Sequence, residues 1–68
     1  MITIPTSNGT ALIEPANILG VFTVKGVANT YVRIMYPTTH VDLRVINDSE
    51  AEKTVKLIRS HLEDLNKG

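Results

Sequence analysis

The sequence predicts an α+β fold, an antiparallel meander of four to five strands with one C-terminal helix packed on one face. Two observations indicate strands: an Asn-Gly pair separates two short apolar segments, and three later segments are rich in β-branched and aromatic residues. A third indicates the helix, because apolar residues recur at helical spacing only near the C-terminus. The 68 residues suffice for a single domain, with strands over about 1–46 and the helix over about 49–66.

Residues 1–14 are predicted to form a hairpin. Asn8 and Gly9 both tolerate the positive φ angles that a type I′ turn requires. A two-residue turn there places Ile4 opposite Ile13. Pro15 has no backbone N–H to donate, so it ends the second strand.

Three further strands are predicted, joined by short turns. They cover residues 18–25, 30–36 and 41–46, with connections at 25–29 and 37–40. Phe22, in the third strand, is expected in the core.

A four-residue connection at 37–40 sets the predicted register of the last two strands. It aligns three apolar pairs on one face: Tyr36 with Val41, Ile34 with Leu43, and Val32 with Val45. We expect the helix to cover this face.

The helix has a clear predicted start and a clear apolar stripe. Ser49 and Glu52 fit a capping box with Ser49 as the N-cap, and Asn47 and Asp48 are competing caps. The stripe is formed by residues spaced three and four apart: Ala51, Val55, Ile58, Leu62 and Leu65.

The reverse face of the predicted sheet is also apolar, and one helix cannot cover both faces. We expect it to be an interface, since large exposed apolar patches mark interaction surfaces. Its predicted members are Leu19, Val21, Tyr31, Met35 and Ile46. The same register sets Arg33 opposite Arg44, an unfavourable pair that a bound anion, a partner's carboxylate or the diagonal Asp42 would offset. A register slip of one residue would exchange the two faces.

Composition argues against several classes of function. The formal net charge is +0, which makes nucleic-acid binding unlikely. There is no cysteine and no His/Asp/Glu cluster with metal-ligand spacing, so no metal or cofactor is expected. His61 is expected at the edge of the helix stripe.

Catalytic motifs and membrane segments are also missing from the sequence. No nucleophile–base pair or phosphate-binding motif is present, which predicts a protein that is not an enzyme. Without an apolar segment long enough to span a bilayer or a signal peptide, we expect no membrane partner and a cytoplasmic location.

Several short motifs give the chain a resemblance to the small flagellar FlbD/SwrD family. The matching segments are Met1-Ile2, Asn8-Gly9, Ile13-Glu14-Pro15, Ile18, Val32-Arg33-Ile34, and Asp48-Ser49-Glu50 before the helix. The family often has an Asn-Gly turn between its last two strands, where this chain has Pro37-Thr38-Thr39-His40. The resemblance implies a similar fold and brings no catalytic motif with it.

These observations together predict a non-catalytic, homo-oligomeric binding protein. It would capture a small anionic, nucleotide-like ligand with four side chains: Arg33, Arg44, Tyr31 and His40. The alternative is an adaptor or inhibitor that docks the same face on a larger protein complex. A nucleic-acid-binding regulator is the third possibility.

Overall fold

The computed structural model describes residues 1–67 and the surroundings of the side chains as far as residue 65. Five antiparallel strands and one helix confirm the predicted α+β class. The elements, in chain order, are β1 Ile2–Thr6, β2 Gly9–Ile13, β3 Gly20–Lys25, β4 Thr30–Met35, β5 His40–Val45 and α1 Asp48–Lys67. The strands form two sheets, a β1–β2 hairpin and a three-stranded β3–β4–β5 sheet, rather than one continuous meander.

The turn of the hairpin lies at residues 7–8, one residue earlier than predicted, which shifts the pairing across the two strands by two residues. Ile4 pairs with Ala11 and Ile13 pairs with Ile2, so the expected Ile4–Ile13 pairing is wrong. The Thr6 side chain favours the earlier turn, because its Oγ1 accepts from the Asn8 N–H at 3.3 Å and donates to a carbonyl at 3.1 Å. The positive φ falls on Gly9, at 133°, and not on Asn8. A shift of two residues preserves the faces of a strand, so the three isoleucines still share the buried face.

The turn between β4 and β5 is tighter than predicted, with two residues at its tip instead of four. The Tyr36 N–H donates to the Thr39 carbonyl at 2.8 Å, which leaves Pro37 and Thr38 at the tip. Ile34 therefore pairs with Val41 instead of Leu43. As in the hairpin, the shift changes every partner but keeps every side chain on its predicted face.

One face of the three-stranded sheet, called the covered face below, packs against α1. Val32 and Ile34 are fully buried there, and Ile58 of the helix is equally buried. The hairpin extends this core with its isoleucines. The buried hydrophobic residues are Ile2, Ile4, Ile13, Val21, Val32, Ile34, Leu43, Val45, Ala51, Val55 and Ile58. The predicted helix stripe continues to Leu62, which is partly buried against this core, but Leu65 is 55% exposed.

Two hydrogen bonds hold the hairpin against the three-stranded sheet. The Ser7 N–H donates to the Arg44 carbonyl at 3.0 Å, and the Tyr36 hydroxyl donates to the Glu14 carbonyl at 3.1 Å. Burial raises the pKa of Tyr36, and the nearby Glu14 charge adds to the shift. The first bond joins the β1–β2 turn to β5, and the second joins the end of β2 to the turn between β4 and β5.

The N-cap of the helix lies two residues before Ser49, at one of the two competing caps that the sequence offers. Asn47 is the N-cap, since its Oδ1 accepts from the Glu50 N–H at 2.9 Å. Asp48 then lies in the first turn, where its carboxylate binds Lys25 Nζ at 2.7 Å and the Thr30 hydroxyl at 2.8 Å. These contacts lower the pKa of Asp48 and raise that of Lys25. They tie the helix start to the β3–β4 end of the sheet.

Candidate binding surface

The other face of the three-stranded sheet, called the open face below, carries three rows of side chains. Each row crosses from β3 through β4 to β5. The rows are Gly20–Met35–His40, Phe22–Arg33–Asp42 and Val24–Tyr31–Arg44. The helix lies on the opposite side, so no described element packs over these rows.

The centre of the open face is an ion pair between Arg33 and Asp42. The Arg33 Nε and Nη2 atoms donate to the two carboxylate oxygens at 2.8 and 3.0 Å, a bidentate arrangement. Hydrogen bonding to Asp42 raises the pKa of Arg33, and the same contact lowers the pKa of Asp42. The predicted opposition of Arg33 and Arg44 is wrong, because the tighter turn brings Asp42 directly across from Arg33.

Arg44 lies diagonally from this pair and directly across from Tyr31. Among the described residues, no carboxylate lies within ion-pairing distance of its guanidinium. Asp42 therefore does not bridge the two arginines, although that arrangement was one of the predicted alternatives. The half-buried Tyr31 ring rests beside Gly26, where an added Cβ would lie only 3.4 Å from the ring Cε2 atom. Arg44, whose guanidinium has no carboxylate partner among the described residues, thus pairs across the strands with an aromatic residue.

The apolar part of the open face lies on the β3 side. Phe22 is 42% exposed, so the expectation that it belongs to the core is wrong. Val24 and Met35 are partly buried beside it. The predicted interface residue Val21 pairs with Ile34 on the covered face and is buried, so it cannot contact a partner on the open face.

The remaining predicted site residues fall into two groups. Tyr31, Arg33, Arg44 and the exposed His40 share the open face, but they are spread over its three rows: His40 and Arg44 are four residues apart along β5, a separation of roughly 13 Å. Leu19 and Ile46 lie just beyond the ends of β3 and β5, where they are 70% and 75% exposed.

The open face is flat. The described residues enclose no pocket, and they contain no group of three or more side chains placed to hold a metal ion. No helix within residues 1–67 has the length and apolar character needed to cross a membrane.

Sequence reasoning missed Phe22 and Val24 as members of the open face. The signal that could have identified them is the turn between β3 and β4. The Gly26 N–H donates to the Asn29 carbonyl at 2.8 Å, which makes Val27 and Ala28 a two-residue tip. Counting back from such a tip pairs Phe22 with Arg33 and so places both on one face.

Comparisons of the chain with protein-family profiles, with curated proteins and with solved structures gave no match. The resemblance to the FlbD/SwrD family therefore stays a prediction that rests on the short motifs quoted above.

Proposed function

We propose that this chain is a non-catalytic binding protein that docks on a partner protein through its open face. The partner's surface would be partly apolar and would present a carboxylate. The observation that carries the proposal is the exposed Phe22 on the same flat face as Arg44, whose guanidinium has no carboxylate partner among the described residues.

The residue types of the open face support a protein partner. Aromatic residues, methionine and arginine are enriched at the centres of protein–protein interfaces. The open face presents Phe22, Tyr31, Met35 and Arg33 side by side, with their neighbours only partly shielding them. Burying such side chains against a partner would stabilise the complex by about 25 cal/mol for each Å² of apolar area removed from water.

The charges of the open face indicate the chemistry of the partner. Arg33 is already matched by Asp42, so the centre of the face can be covered without leaving an unpaired charge. Arg44 is the charge that still needs a counterpart. A carboxylate on the partner would supply it with a charge-assisted hydrogen bond.

A photo-reactive amino acid at position 22 tests this docking in cells that make the protein. We expect it to cross-link to one distinct protein, and the product should disappear when Arg44→Glu is added. The same probe at Lys56, on the exposed side of α1, is the control and should not give that product. Equal products from both positions, a product that survives Arg44→Glu, or no heterologous product would each overturn the proposal.

The second candidate function is the capture of a small anion, as the sequence predicts. The position of Arg44 across from Tyr31 favours it, since a guanidinium and a ring together can hold a phosphate and stack on a base. Adding ADP and then pyrophosphate to ¹⁵N-labelled protein tests this. Saturable shifts at Tyr31 and Arg44 that Arg44→Gln removes would support it, and unchanged spectra would exclude it.

A further inference from the structure

β3 is the free edge of the three-stranded sheet. It pairs with β4 alone, and no described strand lies along its outer side. Its sequence, Gly20–Lys25, contains β-branched and aromatic residues, no proline, and one charge at its end. Proteins usually blunt a free edge with charge, proline or a bulge, because unpaired backbone groups recruit other strands.

The backbone groups that face outward can be identified. The Arg59 side chain donates to the Val21 carbonyl at 3.5 Å from α1, so this carbonyl points away from β4. The backbone N–H and C=O groups of alternate residues in an antiparallel strand point in the same direction. Those of Thr23 and Lys25 therefore also point away from β4. The bond from Arg59 is long, and it is the only side-chain hydrogen bond that the described residues make to a backbone group of β3.

This edge is complementary to itself. Two copies of β3 related by a two-fold axis at Thr23 would pair Thr23 with Thr23 and Val21 with Lys25, through outward groups on both strands. Phe22 of each copy then lies opposite Val24 of the other on the open face. Those pairs would be of the non-hydrogen-bonded type, in which the side chains approach closely.

The distribution of polarity favours the same arrangement. The apolar part of the open face adjoins β3, whereas its charged side chains lie on β4 (Arg33) and β5 (Asp42 and Arg44). Edge pairing would therefore join two apolar regions and leave the charged side chains of both copies away from the junction. On the other face the Thr23 side chain is exposed, so α1 does not cover the position that the two-fold axis would occupy. Lys25 does not oppose pairing, because Asp48 already matches its charge.

We propose that the chain forms a two-fold dimer by antiparallel pairing of its β3 edges, which gives a continuous six-stranded sheet. A domain of this size derives only about 3–5 kcal/mol from its own core, so such pairing would add materially to its stability. The dimer agrees with the predicted homo-oligomer but does not depend on the docking function proposed above.

Sedimentation equilibrium of the purified full chain, over a range of concentrations, tests the proposal. We expect a species of twice the 7.5 kDa chain mass. Thr23→Lys places two like charges opposite each other at the two-fold axis and should yield the mass of one chain with an unchanged circular dichroism spectrum. The matched control is Thr10→Lys on β2, the exposed edge of the hairpin, which should leave the dimer intact.

Amide hydrogen exchange identifies the edge independently of any variant. The outward Thr23 N–H should be protected in the dimer and should exchange faster on dilution to monomer. A wild-type monomer at all concentrations, a dimer that persists in Thr23→Lys, a dimer lost in Thr10→Lys, or an open polymer would overturn the proposal. Arg44→Glu separates it from the docking function, since that variant should lose the partner and keep the dimer.

Discussion

The two faces of the three-stranded sheet contrast a buried core with an uncovered surface, the surface that we propose for binding. Along β4, Val32 and Ile34 on the covered face are fully buried, whereas Arg33 and Met35, which alternate with them, remain partly exposed. The covered face packs against α1 and the hairpin. The open face packs against nothing in the described part of the chain. Alternation along one strand is therefore enough to give a 68-residue protein both a core and a surface that is free for a partner.

The largest expected effect distinguishes neighbouring residues of β4 that lie on opposite faces. Ile34→Ala should lower the free energy of unfolding by about 2–5 kcal/mol, because it leaves a cavity in the core. That is comparable to the whole stability expected of so small a domain, so Ile34→Val, at about 0.5–1.5 kcal/mol, serves as the folded variant. Met35→Ala is the matched control, with an expected change of about 0.5 kcal/mol or less. Urea unfolding followed by circular dichroism measures all three, and equal losses on both faces would contradict the division.

A smaller effect should come from the cap that starts the helix of the covered face. Asn47→Ala removes the acceptor for the Glu50 N–H and should cost about 0.5–2 kcal/mol of unfolding free energy. Ser49→Ala is the control, since Ser49 is exposed within the first turn and does not cap it. If urea unfolding shows that Ser49→Ala loses more unfolding free energy than Asn47→Ala, the N-cap is Ser49, as the capping-box pattern predicts.

The contrast between the faces also explains what could be predicted from the sequence. Class, element order and the face of most strand residues follow from alternation and helical spacing, and these tolerate a register error of two residues. The pairing of residues across neighbouring strands, in contrast, changes completely with such an error. The predicted Arg33–Arg44 opposition failed because one turn has two residues at its tip rather than four, and turn length depends on local bonds such as that from Tyr36 N to the Thr39 carbonyl. Phe22 was misplaced because hydrophobicity alone does not say which face of a two-faced strand is covered.

Acid should lower the stability of the fold through two carboxylates, Asp42 on the open face and Asp48 at the start of the helix that packs on the covered face. The lowered pKa values of Asp42 and Asp48 mean that both carboxylates are charged and bonded in the folded state. A group with a depressed folded-state pKa contributes stability above its unfolded pKa and loses it as the pH falls through the folded value. The urea midpoint should therefore decrease between about pH 5 and pH 2. Asp42→Asn should remove the open-face share of this decrease and leave the share from Asp48, whereas a midpoint that does not change with pH would show that neither pair stabilises the fold.

A small effect on stability is also expected for the most exposed aromatic side chain of the open face. Phe22 pairs across from Arg33 and keeps 42% of its surface in water, so Phe22→Thr should change the free energy of unfolding by no more than about 1 kcal/mol. Threonine keeps the preference for a strand and removes the ring. The same substitution should nevertheless weaken docking and the β3 edge dimer, because it deletes the apolar contact that both require. Unfolding by urea and sedimentation of the same sample measure the two consequences together. A large loss of stability with an unchanged dimer would place Phe22 among the residues that hold the fold, and the open face would then lose its strongest claim to be a binding surface.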